Sequence, residues 1–381
     1  MKIAFVSSYL SIHQLPFCLE LYARLGDDFC FVATKSIPEE RLANGYRDLN
    51  DDYSFVVRAY EDDEQRARAL RLIEQADVVV HGSASWEYQS GRLKRKKPIL
   101  LYSERLYKAG YRWWKWPIHL ARFYAKYGRH KNLYLLCASA YTAGDFAKNG
   151  TFINKAYRWG YFPEVKTYED VGTLLDRKQP ATLLWVGRFL GWKHPEAAVE
   201  IARRLQAEGY DFRLKMIGSG ELWDTIKRQV DTCGLQDRVE LTGGVPADEV
   251  RVQMERTSLY LLTSDRNEGW GAVLNEAMNS ACAVLASDAV GSAPFLLKDG
   301  ENGLSYRSGD VDELYRKVKF LLDNPERGKK LGQNAYETMT GLWNAEVAAE
   351  RLLELARALL RGETNPELYK EGPCSRAEII W

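Results

Sequence analysis

Short apolar runs alternate with helix-period segments along nearly the whole chain, and the series breaks off once and restarts. Lys2 to Ser7 reads as a buried strand, followed by a helix over about Gln14 to Leu25. Phe29 to Ala33, Asp77 to His81, Pro98 to Tyr102 and Leu133 to Ala138 continue the strands, with a charged amphipathic helix over Glu61 to Gln75. The pattern begins again at Ala181 to Gly187 and runs through strands at Phe212 to Ile217, Val239 to Leu241, Ser258 to Thr263 and Ala283 to Ser287. Alternation of this kind builds βαβ units, hence parallel sheets with helices on both faces. A chain of 381 residues suits two such domains of about 150–200 residues each. The expected division is a first domain over residues 1–165, a linker over 166–180, a second domain over 181–360 and a polar tail over 361–381.

Apolar residues make up 46% and charged residues 28%, which excludes global disorder. No run approaches the ~20 apolar residues of a spanning helix. The start, Met1-Lys2-Ile3-Ala4-Phe5-Val6, goes directly into a strand and has no signal-peptide pattern. The six cysteines are scattered without a CxxC pair, which fits a reducing compartment and no zinc site. A cytoplasmic protein is therefore expected. The net charge of +1 hides a division: residues 1–165 carry 25 Lys+Arg against 18 Asp+Glu, and the remainder is acidic. Halves of opposite sign point to different tasks.

Chemistry concentrates where strands give way to helices. In Ser264-Asp265-Arg266-Asn267-Glu268-Gly269-Trp270-Gly271-Ala272-Val273 a strand ends, a glycine-bracketed turn follows, and a helix begins. Gly269 and Gly271 permit close approach of a ligand, and the free N–H groups at Ala272 and Val273 form an anion site. Glu268 lies in the turn and Glu276 in the helix; each carboxylate can accept hydrogen bonds from hydroxyl groups. In Val186-Gly187-Arg188-Phe189-Leu190-Gly191-Trp192-Lys193-His194-Pro195, Arg188 and Lys193 flank a turn. A planar fork plus a point charge suits a pyrophosphate, although the same residues also read as cations of a solvated loop. Ile217-Gly218-Ser219-Gly220-Glu221 is a third strand-to-helix glycine turn.

Taken in order, these motifs resemble the retaining glycosyltransferases of family 4, together with Asp299-Gly300-Glu301-Asn302-Gly303-Leu304. The resemblance covers about Ala181 to Leu360. It implies the GT-B fold, an α/β architecture of two Rossmann-like doubly wound domains facing across a cleft. It implies that Glu268 touches the donor sugar, that Glu276 binds the nucleotide ribose, and that Arg188 and Lys193 hold the donor diphosphate. Donor contacts are further implied for Gly269, Trp270, Gly271, Ala272, Val273, Gly218, Gly220, Gly243 and Val245. Trp270 stands where the family usually has Phe. In the first half, Ser11-Ile12-His13-Gln14-Leu15-Pro16 resembles the His-Gln-x-Pro turn of polysaccharide-cluster members. It lacks the glycine pair that many members carry in this loop. His13, His81, Ser83 and Glu104 are candidate acceptor-side residues by their position at strand ends. A turn residue satisfied by the backbone is the plain alternative for each.

The implied reaction transfers a hexose-type sugar from a nucleotide-sugar, a UDP-sugar before a GDP-sugar, with retention. It uses no metal and no cofactor. The implied acceptor is a glycan, glycolipid or lipid-linked sugar of surface-polysaccharide or glycoconjugate synthesis. Two other readings stay open: a noncatalytic nucleotide-sugar-binding partner at a membrane, and a GT-B UDP-sugar epimerase.

Residues 105–131 hold eight Lys/Arg, eight aromatics and no acid. A basic, aromatic helix is a membrane-interface pattern, which would place the protein peripherally at the inner face of the cytoplasmic membrane. An acceptor groove or a solvated face of a packed helix fits the same stretch. No nucleic-acid module accompanies the charge, so nucleic acid is not an expected partner.

Overall fold

The computed structural model describes residues 1–39, 47–108, 110 and 116–380. Its contacts divide the chain into two units, residues 1–164 with 343–381 and residues 165–342.

The first unit holds a parallel sheet of seven strands in the order β3-β2-β1-β4-β5-β6-β7. The strands are β1 (Ile3–Ser7), β2 (Phe29–Ala33), β3 (Val56–Arg58), β4 (Val78–His81), β5 (Ile99–Ser103), β6 (Leu133–Cys137) and β7 (Ala156–Arg158). All five residues of β1 are buried, as expected of a strand covered on both faces. The short strands β3 and β7 carry too little apolar sequence to be read from the chain alone.

The second unit holds a parallel sheet of six strands in the order β10-β9-β8-β11-β12-β13. These are β8 (Gln179–Val186), β9 (Arg213–Ile217), β10 (Val239–Gly243), β11 (Thr257–Leu262), β12 (Ala283–Ser287) and β13 (Leu304–Tyr306). Their chain order is the Rossmann pattern, in which the winding reverses beside the first strand. In each unit the loops on either side of that reversal are brought together.

Two expected boundaries differ from the observed ones. The helix Ala345–Leu360 packs beside Leu15–Leu25 in the first unit, not in the second. The tail after it is tied to the sheet of the first unit: Arg158 N donates to Ser375 O at 2.7 Å and Ala377 N to Ala156 O at 3.0 Å. It satisfies the backbone of β7, which has no strand beyond it among the described residues. The expected linker is also structured. Asp170 accepts from Gly172 N at 2.8 Å and Thr173 N at 3.1 Å, capping a helix Val171–Asp176. Leu174 and Leu175 from this helix pack with Ala281 and Tyr336 in the second unit.

Candidate active site

In the second unit the winding reverses between β8 and β11, so the turns that follow these strands lie side by side. Three bonds lock them together. Trp185 Nε1 donates to Thr263 Oγ1 at 2.8 Å, Thr263 Oγ1 donates to Lys193 O at 2.6 Å, and Asp265 N donates to Trp192 O at 3.0 Å. This frame sets Lys193 Nζ on Glu268 Oε2, which also accepts from Ser264 Oγ at 3.1 Å. The Lys193 ammonium lies 4.6 Å from the centroid of the Trp192 ring.

Gly271 opens the helix Ala272–Asn279 with φ 86°, a left-handed conformation suited to glycine. A Cβ there would stand 3.1 Å from Val290 Cγ1 and 3.2 Å from Glu268 Cγ, so glycine also leaves room for the Glu268 side chain. The first N–H groups of the helix lack intrahelical partners and carry the positive end of its dipole. Gly218 is more constrained still: at φ 137° its Cβ would stand 1.9 Å from Gly187 O. The two glycine turns after β8 and β9 are therefore pressed backbone to backbone. Gly220 meets Phe189 in the same way, and Gly218 N donates to Gly243 O at 2.8 Å.

Glu276 lies within that helix. Burial pushes its carboxyl above the ordinary range, and Arg251 opposes the rise. Arg251 Nη1 donates to Glu276 O at 3.2 Å, and its guanidinium also bonds Asn279. Tyr260 is buried nearby, its phenol raised first by burial and then by the charge of Glu276. Glu268 adds to that rise. Arg188 is exposed and forms no ion pair among the described residues.

The structure brings together Lys193, Glu268 and the helix start, with Glu276 one helical turn after Ala272 and Arg188 on the adjoining turn. It narrows one expectation to the backbone. The Trp270 indole is 1% exposed and donates to Asn275 Oδ1 at 2.9 Å, so it packs inside the unit and offers no side-chain surface to a donor. Gly243 has φ 76° and open space around it, and Val245 beyond it is half-buried.

The first unit has a counterpart. Ser8 Oγ and Ser83 Oγ, 2.8 Å apart, join the loops after β1 and β4. His13 stacks on Tyr161, with ring centroids 5.8 Å apart, and Tyr161 Oη donates to Glu104 Oε1. Glu104 Oε2 accepts from Lys108 Nζ at 2.7 Å. His81 is buried, with its Nδ1 2.9 Å from Gln89 Nε2. Burial first, then Lys126, lowers its pKa to about 4. His81, Ser83 and Glu104 line one cavity of about 490 Å³, whereas His13 reaches it through Tyr161.

Sequence reasoning missed Tyr161, Ser264, Tyr260 and Arg251. Ser264 was visible four residues before Glu268. Arg251 sits on Ala247–Arg256, a polar helix whose weak pattern hid it.

Residues 169–338 match the family described as Glycosyl transferases group 1. Over this segment the chain is similar to that family. An uncharacterized glycosyltransferase, MJ1178, of Methanocaldococcus jannaschii is 32% identical over 154 residues, covering 40% of this chain and 42% of that protein. The GDP-mannose-dependent alpha-(1-6)-phosphatidylinositol monomannoside mannosyltransferase of Mycobacterium tuberculosis is 26% identical over 211 residues, 54% of this chain and 50% of that one. The chain thus matches about half the length of these curated relatives, or less. The crystal structure of Anabaena Alr3699/HepE in complex with UDP aligns with a TM-score of 0.68 over 94% of this chain and 100% of that one, at 15% identity. This likeness, with two parallel Rossmann-like sheets, gives the chain the GT-B fold.

Of the basic stretch, residues 109 and 111–115, including Tyr111, Trp113 and Trp114, lie outside the described residues. The remainder forms a helix Trp116–Phe123 that continues through Tyr124–Gly128. Phe123 and Tyr127 pack on Phe146, while Ile118 is 70% and Tyr124 61% exposed. Among the described residues no helix is long and apolar enough to cross a membrane.

Proposed function

We propose that this protein is a retaining, metal-independent glycosyltransferase that moves a hexose-type sugar from a nucleotide-sugar, a UDP-sugar first, to a glycan, glycolipid or lipid-linked acceptor. The observation that carries the reading is the pairing of Lys193 with Glu268 beside a helix start, inside the segment that matches the family. As the anomeric C–O bond of the donor breaks, charge grows on the departing diphosphate. Arg188, Lys193 and the N–H groups of Ala272 and Val273 stabilise that charge. Glu268 holds the sugar and Glu276 the ribose hydroxyls. The acceptor oxygen bonds to the anomeric carbon on the face the diphosphate leaves, and its proton passes to a diphosphate oxygen. No protein nucleophile takes part.

Both nucleotides occur among the relatives: UDP is bound in the Anabaena structure, and GDP-mannose is the donor named for the mycobacterial enzyme. A thermal-shift screen with UDP, GDP and their sugars decides, since a bound ligand raises the melting temperature by mass action. Stabilisation by UDP-sugars, with sugar transfer or slow donor hydrolysis, supports the reading. Binding with no turnover favours the noncatalytic alternative, and interconversion of the donor sugar favours an epimerase.

The helix exposing Ile118 and Tyr124 beside Arg122 and Arg129 supports peripheral docking on the anionic inner face of the cytoplasmic membrane. The protein should co-sediment with phosphatidylserine-containing vesicles at low salt. No sedimentation under those conditions sinks the docking.

A further inference from the structure

The cavity in the first unit opens at the carboxyl ends of β4 and β5, where a doubly wound sheet places its ligands. Its volume of about 490 Å³ falls inside the ~300–1,000 Å³ range of small-molecule sites. Trp86 and Tyr127 meet at 79° with ring centroids 5.5 Å apart, forming an aromatic corner. A sugar offers such a corner its apolar C–H faces. Trp86 is braced from behind, edge-on to the buried His81 ring at 5.0 Å. Tyr127 is braced by Phe146, at 5.7 Å.

The charges of this cavity do not cancel. Glu104 is already engaged by Lys108 Nζ at 2.7 Å and by Tyr161. His81 is neutral at physiological pH, held so by burial and then by the cation beside it. Lys126 lies 5.5 Å from the Trp86 ring centroid and 5.0 Å from that of Tyr127, and it pairs with no carboxylate among the described residues. One cation thus sits over two rings with no carboxylate partner, in a cavity whose one carboxylate, among the described residues, is spoken for. Such a cation attracts a negative group on whatever the rings hold.

We propose that this cavity binds an acceptor sugar carrying a negative group, a carboxylate or a phosphate, with Trp86 and Tyr127 as the ring platform and Lys126 as the reader of charge. The proposal rests on the transferase reading for the word acceptor, but its test is direct binding and needs no turnover.

The full chain is titrated with methyl glucuronide, glucose 1-phosphate and methyl glucoside, by calorimetry or ligand-observed NMR, alongside Lys126→Met and Trp86→Ala. At least one charged probe should bind about tenfold more tightly than the glucoside, a difference of ~1.4 kcal/mol. Lys126→Met should bring all three probes to one affinity, and Trp86→Ala should weaken all three. Gain with the glucuronide alone assigns a uronic acid, and gain with the phosphate ester alone assigns a phosphate-linked sugar. Equal affinity for all three probes, binding of none, or a charge preference that survives Lys126→Met overturns the proposal. Lys126 is exposed, so this variant stays informative even if Trp86→Ala does not fold. Donor turnover without probe binding removes this inference alone. Probe binding without donor turnover leaves the site standing and removes the transferase reading.

Discussion

Lys193 and Glu268 are 75 residues apart in the chain and share a hydrogen-bonded ion pair, because the winding of the second sheet reverses between the strands that precede them. The cation proposed for the donor diphosphate is thus held by the carboxylate proposed for the donor sugar. Both side chains are about nine-tenths covered. Lys193→Ala should lower turnover by ~10²-fold or more, as the loss of a transition-state donor does. It should also lower the melting temperature, since it leaves a largely covered carboxylate without its cation. Near-wild-type turnover would remove Lys193 from the clamp.

Arg188 provides the contrast. It is exposed and has no ion-pair partner among the described residues, so its removal costs the fold almost nothing. Arg188→Ala should leave the melting temperature within about 1 °C of the parent, on the order of ±0.5 kcal/mol or less. Turnover should still fall ~10²-fold. Steady-state kinetics beside a thermal melt separates the two effects, and a variant with normal turnover would show Arg188 to be a solvated loop cation.

Most of the strand series and the glycine turns at its strand ends were legible in the sequence, because buried parallel strands are continuous apolar runs and glycine turns must lie where backbones touch. Gly218 against Gly187 is such a place. What the sequence hid was partnership. The alternating buried face of Ala345–Leu360 says that the helix packs, not that it packs beside Leu15–Leu25. Tyr161 reads as one aromatic in an irregular stretch until the fold sets it between His13 and Glu104. The inward packing of Trp270 was hidden for a related reason. Its neighbours Gly269 and Gly271 mark a ligand turn, but the turn points the indole inward, where Asn275 accepts its N–H.

That inward indole sets the third prediction. Trp270→Phe removes the hydrogen bond to Asn275 and part of a buried ring, so it should cost about 1–3 kcal/mol of stability. The donor KM should stay within about threefold of the parent, since the side chain does not reach the ligand. A KM raised more than about tenfold with an unchanged melting temperature would return Trp270 to the donor site.

The fourth prediction concerns pH. His194 adopts φ 49° between the two donor turns, with Nδ1 2.8 Å from Glu196 and Nε2 3.4 Å from Asp265. The hydrogen bond to Glu196 raises its pKa above 6.5, against an opposing effect of burial, and Asp265 adds to the rise. A group whose folded pKa is raised stabilises the fold fully below its unfolded pKa, and this contribution fades as pH climbs through the folded value. His194→Asn keeps a residue that tolerates the left-handed conformation while removing the charge. The melting temperature of the variant should therefore trail the parent most at about pH 5.5 and converge with it by about pH 8.5, on either side of the ordinary histidine pKa. If the gap is the same at both pH values, the His194 charge does not tie the two turns together.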